Sequence, residues 1–390
     1  MKYENIDFLA SVGVRHLPLS VTQSSIIEEL VEQHGSPLLL LDCQVVREQY
    51  QLLKHALPNV TLHFALKPLP HDVVVKTLLQ EGASFDLASN GEVDMVKRQG
   101  VHPKNTIHTH PIKRDSDIQH AMAYGCTRFV IDGLNELEKF LPYKDKVELL
   151  LRLSFPNADA FADLSKKFGC NVDSAMDILR KAQELGVIIN GLSFHVGSQT
   201  QDAKRYVFAI ERCIELIKKV KVENLPRISN LDIGGGFPIA YDNDEFNIIE
   251  FCAPIRKALA NVDKTIKLIA EPGRFIVGPA VMSVASVMGQ AMRSGKPWYY
   301  LDDGVYGSFS GILFDHGHYP IDALHNQGPK VASVLAGPTC DSIDVIDENI
   351  MLPKLKDGDL IITRMMGAYT SATATEFNFF KKANIVALNE

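Results

Sequence analysis

The sequence predicts an α/β protein, a (β/α)8 barrel of the TIM type followed by a mostly β domain. Between Thr61 and Glu271, eight short apolar or β-branched runs alternate with amphipathic helical stretches. Eight strand–helix units in about 210 residues match the size of a (β/α)8 barrel. Beyond Phe275 the helical period gives way to apolar runs separated by Gly and Pro, which is typical of a β domain.

The predicted elements follow one another along the chain. The barrel strands are Thr61–Leu66, Ser84–Leu87, Thr106–His108, Arg128–Ile131, Glu148–Leu153, Gly191–His195, Asn230–Ile233 and Lys267–Glu271. Several of the intervening helical stretches stop at a glycine suited to a helix C-terminus: Gly82, Gly100, Gly125 and Gly186. The later β runs are Val281–Met288, Trp298–Leu301, Val331–Leu335 and Leu360–Thr363. We therefore predict a barrel over residues 37–275 and a β-sandwich-like or β-barrel domain built from residues 1–36 and 276–390.

Length, charge and cysteine usage narrow the classes of function. A chain of 390 residues can bury a sizeable core, and its net charge of -7 without a basic block argues against nucleic-acid binding. The six cysteines are scattered, which is typical of reduced thiols in a cytosolic protein rather than of a disulfide framework. No apolar stretch resembles a signal peptide or a membrane span. We expect a cytoplasmic enzyme that acts on a small molecule, without nucleic-acid or membrane partners.

Ionisable side chains and glycines stand at the ends of most predicted barrel strands. They are Lys67, Asp86, His108, Arg152, His195, the turn Asp232–Gly236 and the segment Glu271–Arg274. The C-terminal ends of the strands of a (β/α)8 barrel meet at one face, where enzymes of this fold carry their active sites. Crowding charged groups there costs desolvation energy that only a ligand would offset. The sequence therefore predicts an active site at this face.

Lys67 is the candidate nucleophile. It ends the apolar run Thr61–Leu66 and is followed by Pro68, Leu69 and Pro70. Desolvation at the end of a buried strand lowers the pKa of an ammonium group and suits a Schiff base. A lone lysine after a strand can equally well reach solvent. The interpretation therefore depends on what stands at the other strand ends.

The other strand ends supply the remaining parts of a cofactor site. Gly234–Gly236 lets backbone N–H groups approach an anion, and Gly273 with Arg274 adds a backbone donor and a guanidinium, which together suit a phosphate. By itself the triple glycine is equally consistent with a tight turn. Glu271 suits a protonated ring nitrogen, and His195 suits the face of an aromatic ring, although an isolated histidine is more often a satisfied core residue. A lysine, a phosphate cradle and this carboxylate are what pyridoxal 5′-phosphate (PLP) requires.

Ordered motifs run from the barrel into the second domain. They are Phe85–Ser89, Ser193–Ser198, Asp232–Phe237, Ala270–Arg274, Asp303–Phe309, Phe314–His316, Gly337–Asp341 and Met366–Thr370. From about Pro37 nearly to the C-terminus, the chain closely resembles the eukaryotic-type ornithine decarboxylase family. This resemblance implies the fold shared with alanine racemase, which combines a barrel with a β domain.

The resemblance implies roles for the barrel residues. Lys67 would hold PLP as a Schiff base, Glu271 would pair with the pyridine nitrogen, and His195 would stack on the ring. The remaining cofactor-binding residues would be Asp86 and Arg152 near the Schiff base and ring, and Ser198, Gly235, Gly273, Arg274 and Tyr369 at the phosphate. One departure from the family pattern follows Lys67, where Pro68 and Leu69 replace a small or thiol residue and an asparagine.

The resemblance also implies a homodimer with shared active sites, because Cys340 and Asp341 would come from the other subunit. Cys340 would protonate the carbanion that remains after loss of carbon dioxide. The substrate-binding residues would include Tyr306, with Asp315 and Asp341 at the distal ammonium of a basic amino acid.

The implied activity is PLP-dependent decarboxylation of L-ornithine to putrescine in polyamine biosynthesis. L-Lysine, which gives cadaverine, stays open because one methylene is worth only about 1–3 kcal/mol of discrimination. The alternatives are diaminopimelate decarboxylase, a racemase of the same fold and a non-catalytic regulatory homologue. The first usually carries Cys-Glu-Ser in place of Cys340–Ser342, and the presence of Lys67, Glu271 and Cys340 argues against the last. The alternating histidines of His108–His110 and Asp315–His318 are weak metal signals, and we expect no metal.

Overall fold

Eight parallel strands close into a barrel, which confirms the predicted fold class. The computed structural model describes residues 21–156, 166–241, 246–315, 317–325 and 328–390. The barrel strands are β2 (Val60–Ala65), β3 (Ser84–Leu87), β4 (Thr106–His108), β5 (Arg128–Ile131), β6 (Glu148–Leu153), β7 (Ile189–Phe194), β8 (Asn230–Asp232) and β9 (Lys267–Ala270). Each pairs with the next, and β9 pairs with β2 to close the ring.

Helices alternate with the barrel strands along the chain. They are α2 (Cys43–Ala56), α3 (Asp72–Gln80), α4 (Asn90–Arg98), α5 (Asp115–Tyr124), α6 (Leu134–Lys139), α7 (Val172–Leu185), α8 (Lys204–Val222), α9 (Ile248–Leu259) and α10 (Arg274–Val277). The predicted glycine caps are present after α5 and α7, where Gly125 and Gly186 adopt left-handed conformations. Among the described helices, none combines the length and apolar composition needed to cross a membrane.

Strand register explains why polar side chains meet at one end of the barrel. Ala65 lies opposite Asp86, which lies opposite Ile107. Ile107, Val130 and Leu150 belong to one fully buried apolar cluster. The carboxyl ends of all eight parallel strands lie at one end of the closed barrel, so the polar residues at these ends come together.

The second unit is built on an eight-stranded sheet. Its strands are β1 (Leu38–Asp42), β10 (Val281–Arg293), β11 (Lys296–Leu301), β12 (Ile321–Ala323), β13 (Lys330–Ala336), β14 (Val345–Pro353), β15 (Leu360–Thr363) and β16 (Asn384–Leu388). Six of them follow the order β12-β15-β10-β11-β13-β14, and β1 joins β10 to β16. The helices α1 (Val21–His34) and α11 (Gly311–Phe314) belong to the same unit.

The division into units differs from the predicted boundary at residue 37. Of the described residues, those within 21–48, 239–246 and 276–390 belong to the β unit, and those within 49–238 and 247–275 belong to the barrel unit. Strand β1 pairs antiparallel with β10 and parallel with β16, so it belongs to the β unit. The run Leu38–Leu41 is fully apolar, as a barrel strand would be. Only its pairing with strands that are distant in sequence assigns it to the β unit.

Candidate active site

Lys67 lies in the turn that follows β2. Ala65 and Leu66 are buried, whereas Lys67 is exposed, and the N–H of Leu69 donates to the Leu66 carbonyl at 3.1 Å. The surrounding polypeptide therefore leaves Lys67 exposed at the end of the strand. The desolvation of its amine stays a prediction.

Carboxyl groups with raised pKa values lie near the amine. Asp86 is 4% exposed and accepts a hydrogen bond from the Thr109 hydroxyl. Burial, followed by the charge of Glu271, raises the pKa of Asp86 well above its ordinary value. Burial, followed by the charge of Asp232, does the same to the pKa of Glu271. The positive charge of Lys67 opposes both shifts without cancelling them.

Asp232 is a site residue to which the sequence analysis assigned no role. It is fully buried at the end of β8, and its Oδ1 accepts the N–H of Gly234 at 2.9 Å. Its Oδ2 is also buried and has no hydrogen-bond partner among the described residues, and burial raises the pKa of Asp232 to about 6. Because the charge of Asp232 in turn raises the pKa of Glu271, the two carboxyl groups titrate as a coupled pair. The available sequence signal was an aspartate two residues before a glycine turn.

His195 follows β7 and is uncharged. Its Nδ1 accepts the N–H of Gly197 at 3.0 Å, which leaves the ring proton on Nε2. Burial, followed by the charges of Lys67 and Arg152, holds the pKa of His195 well below its ordinary value. A neutral imidazole fixed at one nitrogen can lie against an aromatic ring without adding charge to it.

The glycine turn after β8 has room for no side chain. Gly234 has φ +69°, and a Cβ added there would lie 2.2 Å from the carbonyl oxygen of Phe194. A Cβ on Gly235 would lie 2.4 Å from the Glu271 carbonyl oxygen and 3.2 Å from His195 Nε2. The turn is therefore tight, as one interpretation of the triple glycine requires, and its approach to an anion stays a prediction.

Tyr206 supports this turn from α8. Its hydroxyl donates to the Gly235 carbonyl at 2.8 Å, and its ring stacks on Phe237 at 5.3 Å between centroids. The sequence analysis missed Tyr206, because an aromatic residue on the apolar face of an amphipathic helix is indistinguishable from an ordinary core residue.

Arg274 and its neighbours form a cationic cradle. The guanidinium is 6% exposed, and its Nη2 donates to Ser198 Oγ at 3.1 Å. A Cβ added to Gly273 would lie 2.7 Å from Pro68 Cγ, so only glycine fits beside the turn that carries Lys67. A buried guanidinium, a hydroxyl and a stretch of bare backbone are the groups that a phosphate requires. The residues present therefore fit the cofactor that the sequence predicts.

Arg152 faces an aromatic ring that the sequence analysis did not identify. Its guanidinium lies 5.5 Å from the centroid of Phe168, and His110 packs edge-on against the same ring at 5.4 Å. Asp132 accepts the N–H of Gly169 at 2.9 Å and so holds the backbone beside Phe168. Burial lowers the pKa of Arg152, and the charge of Glu271 opposes this shift.

The remaining predicted site residues belong to the β unit. The Tyr306 hydroxyl donates to Asp341 Oδ2 at 2.5 Å, which lowers the pKa of Asp341 and raises that of Tyr306. Asp315 follows α11, with its N–H on the Gly311 carbonyl at 2.9 Å. Tyr369 adopts a left-handed backbone at φ +58°. Cys340 is exposed, whereas the other five cysteines are buried, and all six lie within the described ranges as free thiols.

The weak metal signals find no structural support. His108 lies beside the Phe129 ring at 5.7 Å, and His110 packs on Phe168. His316 lies outside the described residues. Within the part of the chain that the structure describes, no group of three or more His, Cys, Asp or Glu side chains could hold a metal ion.

Comparisons with known proteins identify the family to which the chain belongs. Residues 43–278 match the family described as pyridoxal-dependent decarboxylase, pyridoxal binding domain. The chain is 34% identical over 366 residues to the lysine/ornithine decarboxylase of Selenomonas ruminantium, covering 93% of this chain and 92% of the relative. It is 60% identical to the lysine/ornithine decarboxylase of Vibrio vulnificus solved with cadaverine, with a TM-score of 0.92 and coverage of 95% and 100%. The putrescine complex from the same organism gives 60% identity, a TM-score of 0.91 and coverage of 95% and 99%. The chain belongs to the pyridoxal-dependent decarboxylase family.

Proposed function

We propose that this enzyme decarboxylates both L-ornithine and L-lysine, releasing putrescine and cadaverine. The proposal rests on one observation: a lysine, a cationic cradle suited to phosphate and a pair of neighbouring carboxyl groups lie at the C-terminal end of the barrel strands. The solved relatives at 60% identity are named as lysine/ornithine decarboxylases and hold cadaverine or putrescine, which supports the substrate class.

Different residues of the site would bind different parts of the cofactor. Lys67 would attach it covalently, Ser198, Gly235, Gly273 and Arg274 would bind its phosphate together with Tyr369, and Asp86 and Arg152 would stand near the ring. When bound, the cofactor supplies an electron sink for the pair released when the bond between Cα and the carboxylate breaks.

Glu271 has the chemistry to keep a proton at the pyridine nitrogen. Burial, followed by the charge of Asp232, raises the pKa of Glu271, and the same concentration of negative charge would favour a proton on a ring nitrogen placed beside this carboxyl. His195 would lie on the ring as a neutral imidazole, because its pKa is depressed. These two residues therefore favour the electron-poor form of the ring without placing a second positive charge beside it.

Three residues of the β unit would recognise the substrate side chain. The Tyr306 hydroxyl fixes the carboxylate of Asp341 and keeps it ionised, which suits a distal ammonium, and Asp315 supplies a second negative charge. Carboxylates at this place disfavour diaminopimelate, because its distal carbon carries a carboxylate as well as an ammonium. Ornithine and lysine differ by one methylene, and a bridging water can span that difference.

The enzyme would act as a homodimer in which each subunit completes its partner's site. Cys340 would deliver a proton to the carbon that has lost its carboxylate, and its exposure makes the thiol available to a second subunit. The six free thiols also support a cytoplasmic location, where disulfides are rare.

Turnover of four amino acids tests this proposal. We expect measurable kcat/KM for ornithine and lysine, with values within about 200-fold of each other because one methylene separates them. Arginine and diaminopimelate should be turned over at least about 1000-fold less efficiently, because arginine ends in a larger guanidinium and diaminopimelate carries a carboxylate beside its distal ammonium. Efficient turnover of diaminopimelate, or racemisation without release of carbon dioxide, would contradict the assignment.

A further inference from the structure

We propose that Asn378 is a positioning residue for Cys340, acting through a hydrogen bond to the Cys340 backbone. The inference rests on the proposed role of Cys340 and adds a residue to that site. Asn378 Oδ1 accepts the N–H of Cys340 at 3.0 Å, across 38 residues of sequence. The side chain of one loop thus fixes the backbone of a second loop at the residue that bears the thiol.

The turn around Cys340 is bonded mainly to itself. The N–H of Thr339 donates to Asp344 Oδ2 at 3.0 Å, and the N–H of Ile343 donates to Asp341 Oδ1 at 3.2 Å. Asp344 is 3% exposed and also accepts the N–H of Val305 at 2.8 Å, which fixes the base of the turn. The bond from Asn378 fixes its exposed part, where the thiol is.

Tyr306 connects the same two loops from the side. Its hydroxyl donates to Asp341, and its ring stacks on Phe377 at 4.5 Å and 26°. The N–H of Thr375 donates to the Tyr306 carbonyl at 2.8 Å. Residues 375–378 and the turn 339–344 therefore form one bonded cluster with Tyr306, in which Asn378 contacts the residue that bears the thiol.

The backbone of Asn378 explains why this residue type stands here. Its φ is +55° and its ψ is +19°, a left-handed conformation that asparagine tolerates better than other residues with side chains. Glycine would adopt the same conformation more easily but has no acceptor to offer. Asparagine therefore combines the required backbone with the hydrogen bond.

The consequence for catalysis is a fixed thiol. A group that transfers a proton must be held near the receiving carbon, and a displacement of about 1 Å can cost about 100-fold in rate. Loss of the Asn378 bond should therefore affect kcat more than KM.

The test compares Asn378→Gly with Asn378→Asp in the dimeric holoenzyme. Glycine keeps the left-handed backbone without the acceptor, whereas aspartate keeps an acceptor of the same shape. We expect kcat for ornithine to fall about tenfold in Asn378→Gly, with KM within threefold of wild type. Asn378→Asp should stay within about twofold of wild type, since its carboxylate still accepts the N–H. Asn224→Gly is the matched control, because Asn224 is an exposed asparagine at φ +53° in the barrel unit.

A second readout does not depend on turnover. Cys340 is the exposed cysteine of the six, so its alkylation by iodoacetamide can be followed by peptide mapping. We expect alkylation of Cys340 to be at least about threefold faster in Asn378→Gly, because the freed turn presents the thiol in more conformations. Asn378→Asp and Asn224→Gly should label at the wild-type rate. The melting temperature and the visible cofactor absorption of each variant confirm that it is folded and loaded.

Cys340→Ala separates this inference from the proposed function. If Cys340→Ala is impaired and Asn378→Gly matches wild type in both kcat and labelling, the positioning role is overturned and the function stands. If Cys340→Ala itself keeps wild-type kcat, the proposed role of the thiol fails, and the inference fails with it. An equal loss of kcat in Asn378→Gly and Asn378→Asp would also overturn the positioning role. So would a double variant of Asn378→Gly and Cys340→Ala with a kcat much lower than that of Cys340→Ala alone. A double variant no slower than Cys340→Ala supports it.

Discussion

At the residue scale, the strand ends indicate candidate reactive groups but not the residues that adjust their pKa values and positions. Lys67, His195 and Glu271 could be identified because an ionisable residue directly after an apolar run is unusual. Asp232 raises the pKa of Glu271 through its charge, an effect that depends on the distance between neighbouring strands. Tyr206 and Phe168 act from a helix and a loop, where aromatic residues carry no distinctive pattern. Side chains that act through another residue are therefore the hardest to find in one sequence.

Lys67→Ala should purify without the visible absorption of covalently held cofactor, because this lysine stands beside the cradle formed by Gly273 and Arg274. Decarboxylation should fall by about a thousandfold or more, as expected when a covalent catalyst is removed. The measurement is an absorbance spectrum before and after borohydride, together with release of carbon dioxide. Lys97→Ala on α4 is the control and should resemble wild type. Borohydride-fixed cofactor on any lysine other than Lys67 in the wild type would refute the assignment.

Asp232→Asn should change how the stability of the cofactor-stripped protein depends on pH. The folded pKa of Asp232 is raised to about 6 from 3.8, so the folded state binds the proton more tightly than the unfolded state. The stabilisation from this proton is complete below about pH 4 and is lost as the pH rises through about 6. A shift of this size corresponds to roughly 3 kcal/mol.

The asparagine keeps an acceptor for Gly234 without carrying a charge, so the variant lacks this loss. Relative to wild type, Asp232→Asn should therefore gain up to roughly 3 kcal/mol in unfolding free energy between pH 4 and pH 7, measured by urea titration. A constant difference across that range would show that Asp232 does not titrate there.

At the element scale, the barrel strands were predictable, whereas four strands of the sheet, β1, β12, β14 and β16, were not. Barrel strands that are buried on both faces appear in the sequence as short apolar runs. Each strand pairs with the next one along the chain, so periodicity and spacing were enough to predict the barrel. Strand β1 reads the same way, yet Leu38 pairs with Val284 and Asn384. Pairings over hundreds of residues leave no local pattern, which is why residues 38–42 were not predicted as a strand and fell within the predicted barrel range of 37–275.

The glycine turn after β8 should tolerate alanine much less well than an ordinary helix end. Gly82 and Gly234 both have positive φ, at +75° and +69°, but an added Cβ at Gly82 meets nothing within 4 Å. Gly82→Ala should therefore cost only the backbone strain, about 1–2 kcal/mol of unfolding free energy. Gly234→Ala adds a contact at 2.2 Å with the Phe194 carbonyl oxygen, so it should cost at least about 2 kcal/mol more. Urea unfolding of both variants decides the matter, and equal losses would count against the tight packing of this turn.

At the scale of the whole molecule, the proposed site draws on two chemically different sets of residues. The barrel unit carries the groups that suit the cofactor, and the β unit carries an exposed thiol with an ionised carboxylate beside it. Assembly as a C2 dimer would place the second set of each chain at the first set of its partner. Such sharing makes activity depend on pairing, which a mixture of variants can measure.

The re-pairing experiment uses Lys67→Ala and Cys340→Ala chains, each of which should be nearly inactive alone. If each site takes Lys67 from one subunit and Cys340 from the other, a mixed dimer contains one intact site and one doubly damaged site. Random exchange of an equal mixture gives about half mixed dimers, so release of carbon dioxide should recover to about one quarter of wild type. Exchange is verified independently by a mass tag on one of the two chains. Absence of recovery despite verified exchange would mean that the sites lie within single chains or that Cys340 takes no part in turnover.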